Sequence, residues 1–148
     1  MRRILFLMLF CCSFLAAADL KWMTDFQKAT TLSKETNKPI VILFTGSDWC
    51  IWCTKVEKEI FNTPDFQAAT MNKFIFVKAD FPLNTDLPID LILQNEKLKN
   101  QYGVKGFPAI VVISPSGELL GNLGYKEGGG TKFAETLLNL SAQKPEFK

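Results

Sequence analysis

The sequence predicts an α/β fold in three layers, with a central sheet covered by helices on both faces. Residues 40–44 (IVILF), 74–77 (FIFV) and 109–113 (AIVVI) are short, unbroken apolar runs rich in β-branched and aromatic side chains. Runs of that length favour strands over helices, and the lack of polar alternation means that both faces are buried, as in the central strands of an α/β sheet. The segments between these runs carry helical patterns, so strands and helices alternate along the chain.

The elements follow in order. Thr24 is positioned to cap a helix over residues 25–36, which presents Phe26, Ala29 and Leu32-Ser33 on one side. After the first strand a second helix is expected from Cys50 to Phe61. Asn62-Thr63-Pro64-Asp65 breaks it and starts a shorter helical turn through Ala69. The second strand leads into residues 81–88 (FPLNTDLP), which read as a surface excursion, and then into a helix over residues 89–102. The third strand and residues 118–123 flank the turn Ser114-Pro115-Ser116-Gly117 and read as a hairpin. A last helix over residues 131–140 is entered through Gly128-Gly129-Gly130.

The N-terminus stands apart. Met1-Arg2-Arg3, an uncharged apolar run from Ile4 to Leu15, and Ala16-Ala17-Ala18 together form the pattern of a cleavable signal peptide over residues 1–18. The run falls short of the roughly 20 residues a membrane-spanning helix needs. Export is therefore expected, into the periplasm, with residues 19–148 as one domain. Loss of this segment removes Cys11 and Cys12 from the four cysteines, and Arg2 and Arg3 from the 17 basic residues that face 15 acidic ones. The mature chain is near neutral. That argues against nucleic acid as a partner. About 130 residues are enough for a full core without a disulfide.

The two remaining cysteines sit in Ser47-Asp48-Trp49-Cys50-Ile51-Trp52-Cys53, at a strand-to-helix junction. Three readings compete. Zinc sites draw on paired Cys-x-x-Cys motifs or on histidine, and this chain has one such pair and no histidine. A structural disulfide closing so short a loop would constrain little of the unfolded chain. A redox pair accounts for the position. In the first turn of a helix, free backbone N–H groups and the helix dipole stabilise a Cys50 thiolate, while Cys53, one turn deeper, faces inward with Val56 and Ile60. Cys50 would attack a disulfide and Cys53 would resolve the mixed intermediate. A metal-carrying role for the same thiols remains the alternative from a different class.

The stretches PIVILFTGSDWCIWC and GVKGFPAIVVISPSGELLG resemble the thioredoxin superfamily over nearly the whole mature chain. The resemblance implies a thioredoxin-like fold with a central mixed β-sheet flanked by helices. It makes Cys50 and Cys53 the catalytic pair and puts Trp49 beside it. It makes Pro108 the cis-proline, with the Phe107 backbone pairing to an extended substrate. Within the superfamily, SDWCIWCTKVEKEIFNTPDF is similar to exported proteins akin to the C-terminal domain of the electron transporter DsbD. There an acidic residue one turn beyond the second cysteine lies near the site, and Glu57 matches it. Cys53 and Glu57 are i and i+4 on one helix, although spacing alone equally allows a solvated glutamate. Phe44 occupies the place of the buried acid found in many thioredoxins. The span before Pro108 is also longer than in a minimal thioredoxin, with the excess in residues 81–94.

Direction of electron flow follows from the residues around the pair. Ile51-Trp52 supplies no hydrogen-bond donor except the indole N–H, and Asp48 and Glu57 would oppose a thiolate. Both favour a reducing potential. The expected activity is a thiol-disulfide oxidoreductase of the protein-disulfide reductase type. Its substrates would be exported proteins with disulfides, and a DsbD-like membrane protein would be its electron donor. Oxidase or isomerase action is the runner-up. The chain shows no separate dimerisation segment like those of the resembling isomerases, so a monomer is expected. Trp52 would offer partners an apolar contact. No cofactor and no metal are called for, because the two thiols carry both electrons.

Overall fold

Side-chain alternation along the three apolar runs sorts the core into two layers. The computed structural model describes residues 19–142; the expected signal segment, residues 1–18, and residues 143–148 lie outside these. In chain order the elements are β1 (Trp22–Met23), α1 (Phe26–Thr36), β2 (Ile40–Thr45), α2 (Ile51–Val56), a π-helical turn (Glu57–Phe61) and α3 (Pro64–Thr70). They continue with β3 (Ile75–Asp80), α4 (Ile89–Gln101), β4 (Ala109–Ile113), β5 (Leu119–Leu123) and α5 (Gly129–Ala142). The sheet order is β1-β3-β2-β4-β5. β1, β3 and β2 run parallel, whereas β4 is antiparallel to β2 and β5 to β4, giving the mixed sheet.

Val41, Leu43, Phe76, Ile110 and Val112 point to one face, where Val56, Ile60, Phe61, Phe66, Phe133 and Leu137 cover them. Ile40, Ile42, Phe44, Ile75, Val77, Val111 and Ile113 point to the other and pack with Ala29 of α1 and Leu98 of α4. Successive strand residues face opposite sides, so each run fills both layers at once. Phe61 is the hub of the first layer. Its ring makes edge contacts with Phe66 at 5.1 Å, Trp22 at 5.2 Å and Phe133 at 6.1 Å.

Several element ends differ from the sequence reading. Asp25, not Thr24, caps α1, its carboxylate accepting from the Lys28 amide at 3.0 Å. The Thr24 carbonyl is held instead by Gln94, whose side chain also accepts from the Phe26 amide, tying α4 to the start of α1. β1, too short to read from a pattern, adds an edge strand. The expected single helix to Phe61 changes to π geometry at Glu57. There the buried Gln67 amide donates to the Phe61 carbonyl at 3.2 Å, meeting a backbone group that this irregular turn exposes. α5 begins inside the glycine run, at Gly129.

Candidate active site

The topology brings three loops to one edge of the sheet. β2 and β3 are parallel and end together, with Thr45 paired to Asp80. β4 runs the other way, so its first residue, Ala109, pairs with Phe44 at the same edge. Residues 46–50, residues 81–88 and the Phe107–Pro108 peptide therefore converge where the parallel strands end, as ligand sites do in open α/β sheets. The Phe107–Pro108 peptide is cis.

The cysteine segment leaves β2 in a tight turn. The Gly46 carbonyl accepts from the Cys50 amide at 2.9 Å and from the Trp49 amide at 3.3 Å. Cys50 then stands at the N-cap of α2 rather than within its first turn. Its extended backbone frees its Sγ to accept from the Cys53 amide at 3.2 Å. Cys50 and Cys53 are joined in a disulfide with a Cα–Cα distance of 5.2 Å. Cys50 keeps 8% of its surface exposed and Cys53 only 1%, so Cys50 is the more accessible residue of the two. An anion forming on Cys50 would meet the free N–H end of α2.

Aromatic side chains flank the pair on two sides. Toward the cis peptide, Trp49 meets Phe107 edge-on at 5.9 Å, Phe107 stacks on Phe81 at 4.9 Å, and Phe81 stacks on Phe44 at 6.5 Å. Phe44, fully buried, extends this ladder into the core at the place where many thioredoxins hold an acid. Across the pair, Trp52 is 56% exposed and lies 5.6 Å from Tyr125. Lys55 Nζ sits over both rings, at 5.0 and 4.9 Å. The Tyr125 hydroxyl donates to Glu59, and that hydrogen bond, more than burial, raises the phenol above its ordinary value of 10.0.

The two acids named from the sequence are both engaged away from the sulfurs. Asp48 accepts from the Leu83 amide at 2.9 Å and the Asn84 amide at 2.7 Å. The Leu83 N–H is the main reason its carboxyl lies below 3.8. Asp48 thus anchors the 81–88 excursion to the residue pair before Cys50. Glu57 lies in the π turn, and its carboxylate pairs with Lys78 Nζ of β3 at 3.0 Å. Its backbone amide, not its carboxylate, reaches back to the Cys53 carbonyl. The expectation that Glu57 opposes a thiolate is weakened accordingly, since a lysine shares its charge. Lys78 was missed in the sequence, although a lysine interrupting an apolar strand (FIFVKAD) is itself a signal. Tyr125 carried none. Among the described residues no three or more metal-ligating side chains cluster.

The Cys-x-x-Cys pair thus caps a helix at the same sheet edge as the cis Phe107–Pro108 peptide. The family profile described as thioredoxin-like domain matches residues 26–139. The chain belongs to that family. Disulfide bond reductase DsbH of Chlamydia pneumoniae is 38% identical over 119 residues, 80% of this chain and 71% of its own length. The solved structure of a DsbH oxidoreductase superposes with a TM-score of 0.80 at 36% identity, covering 84% of this chain and 86% of that one. The reduced C-terminal domain of DsbD from Neisseria meningitidis superposes with a TM-score of 0.57 at 25% identity, covering 80% of this chain and 98% of that domain. This thioredoxin-like chain is a thiol-disulfide oxidoreductase of the DsbH type, with the Cys50–Cys53 pair as its redox group.

Proposed function

We propose that the protein is an exported, monomeric disulfide reductase that works in the periplasm and receives its electrons from a DsbD-like membrane protein. The observation that carries this reading is the environment of Cys50 Sγ. Among the described residues it accepts one hydrogen bond, from the Cys53 amide. Strong oxidants owe their potential to heavy stabilisation of the reduced thiolate, and beyond the amides at the start of α2 the Ile51-Trp52 insert donates no side-chain hydrogen bond to Cys50 Sγ. The names of the similar proteins, a disulfide bond reductase and a DsbD domain, support the same direction. The basic start, apolar run and small residues of 1–18 support export.

The reaction balances with two thiols and one disulfide. The Cys50 thiolate attacks one sulfur of a partner disulfide, forming a mixed disulfide and releasing one partner thiolate. The Cys53 thiolate then attacks Cys50 Sγ, closing the Cys50–Cys53 bond and releasing the second. Two electrons pass to the partner, whose sulfurs take up two protons, and the donor returns two electrons to the pair. Glu57, one helical turn beyond Cys53, would take the Cys53 proton once its carboxylate turns from Lys78, with which it pairs in the disulfide form. The Phe107 backbone beside cis-Pro108 holds an extended partner chain, Trp49 flanks it, and Trp52 contacts it.

The reduction potential of residues 19–148, equilibrated against defined glutathione ratios, tests the direction. A value near thioredoxin's, about −270 mV, is expected; a value near DsbA's, about −120 mV, would make the protein an oxidant and overturn the reading.

A further inference from the structure

Beside the cysteine pair the 81–88 excursion encloses a cleft of about 440 Å³, walled by Trp49, Phe81, Leu83, Leu87 and Ile92 with Asp80, Asp86 and Glu96 among its lining residues. We propose that this cleft is a specificity pocket for disulfide partners, and that it takes an apolar side chain flanked by lysine or arginine on an extended partner segment near the reacting cysteine. The proposal rests on the exchange reading above and adds to it a rule for choosing partners.

Three independent features point there. The cleft adjoins the reaction site, because Trp49 precedes Cys50 in sequence and its indole N–H donates to the Phe81 carbonyl at 2.8 Å. A chain whose disulfide meets Cys50 Sγ passes close to Trp49, the wall that the cleft shares with the site. The wall is built in advance. Asp48 holds the Leu83 and Asn84 amides, the Asp80 carboxylate accepts from both the Ser47 amide and its hydroxyl, and the buried Asn95 amide donates to the Asp80 carbonyl. A partner would not have to order this loop on binding, which removes one of the usual costs of association.

The chemistry of the walls selects the occupant. Leu83 is 74% exposed and Ile92 42%, and on the same helix Leu93 is 62% exposed. Apolar surface of this kind beside a reactive centre is covered when a partner docks. Residues 79–96 hold four carboxylates, Asp80, Asp86, Asp90 and Glu96, and no lysine or arginine. Glu96 pairs with Lys99 and Asp80 is engaged by Ser47, while Asp86 carries no ion pair among the described residues. Lys99, 5.4 Å over the Phe81 ring, offsets Glu96, and Asp80 and Asp86 leave the lining with an acidic excess that attracts a cationic flank and repels an acidic one.

The test uses reduced protein and a set of cystine-linked peptides with Leu-Lys placed two to four residues from the cysteine on either side. A matched set carries Ala-Glu, and 2-hydroxyethyl disulfide serves as a small neutral substrate. Exchange with the best Leu-Lys peptide should run about ten-fold faster than with its Ala-Glu counterpart. Ile92→Ser and Asp86→Lys should each cut that preference to about two-fold while leaving the rate with 2-hydroxyethyl disulfide unchanged. The pocket is ruled out if no Leu-Lys peptide outruns its counterpart, or if both variants keep the preference. Sedimentation of the same samples adds a further outcome: a dimer lost in Ile92→Ser would make a second copy the occupant and overturn the proposal. Failure of the wild type to react with 2-hydroxyethyl disulfide would instead sink the exchange reading itself, and the pocket with it.

Discussion

Gly46 is the position where one methyl group would report on the architecture of the site. Its φ lies outside the left-handed region, so alanine suits the backbone. A Cβ there would nevertheless sit 2.5 Å from Trp49 Nε1 and 2.7 Å from Cζ2, with Cε2 also in its way. Neither the Gly46 carbonyl, which holds the Cys50 turn, nor β2 can shift cheaply, so the indole must swing outward. Trp49 is 45% exposed and has room to do so. The movement breaks its hydrogen bond to Phe81 and its edge contact with Phe107. Each is worth about 0.5–1.5 kcal/mol, and water replaces part of the first, so Gly46→Ala should cost about 1–2 kcal/mol. For a domain of this size the Tm should fall by about 3–8 °C. Urea denaturation of the oxidised protein measures the loss, and a double-mutant cycle assigns it. With Trp49→Ala already present the obstruction is gone, and Gly46→Ala should be neutral or stabilise by up to about 1 kcal/mol through the unfolded chain. Equal destabilisation in both backgrounds would refute the reasoning, because the cost would then lie in the turn and not in the indole.

Other outcomes follow from the same structure. Cys53→Ser should accumulate a mixed disulfide with partner proteins, visible on non-reducing gels, whereas Cys50→Ser should abolish exchange and trap nothing. Phe61→Ala, at the hub of the aromatic core, should cost about 3–5 kcal/mol in urea denaturation, since Trp22, Phe66 and Phe133 cannot all close the space. Because backbone N–H bonds lower the Asp48 pKa, the anchoring of residues 83–84 is fully present above the ordinary value of 3.8. It is lost only as pH falls through the lower folded value. Hydrogen exchange should therefore show the Leu83 and Asn84 amides protected at pH 5 and released in stronger acid, and Asp48→Ala should release them at both.

The sequence by itself determined the layers, the order of the main elements and the redox pair. Unbroken apolar runs such as IVILF can be buried on both faces only as central strands, and Cys-x-x-Cys at a strand-to-helix junction has few other uses. The short strand Trp22–Met23 escaped because two residues make no period; pairing with β3 alone creates it. Thr24 reads as the cap of α1, but the Asp25 carboxylate takes the Lys28 amide, and Gln94, seventy residues from Thr24, holds the Thr24 carbonyl. The same holds at the site. Asp48 and Glu57 read as charges near a thiolate, but which partner a carboxylate chooses depends on what folding brings within reach. Leu83 and Asn84 engage the first, Lys78 the second. Local patterns are written in neighbouring residues and survive in the sequence. Pairings across the sheet edge belong to the tertiary fold, because only the fold decides which distant groups come within the few ångströms over which a hydrogen bond or an ion pair acts.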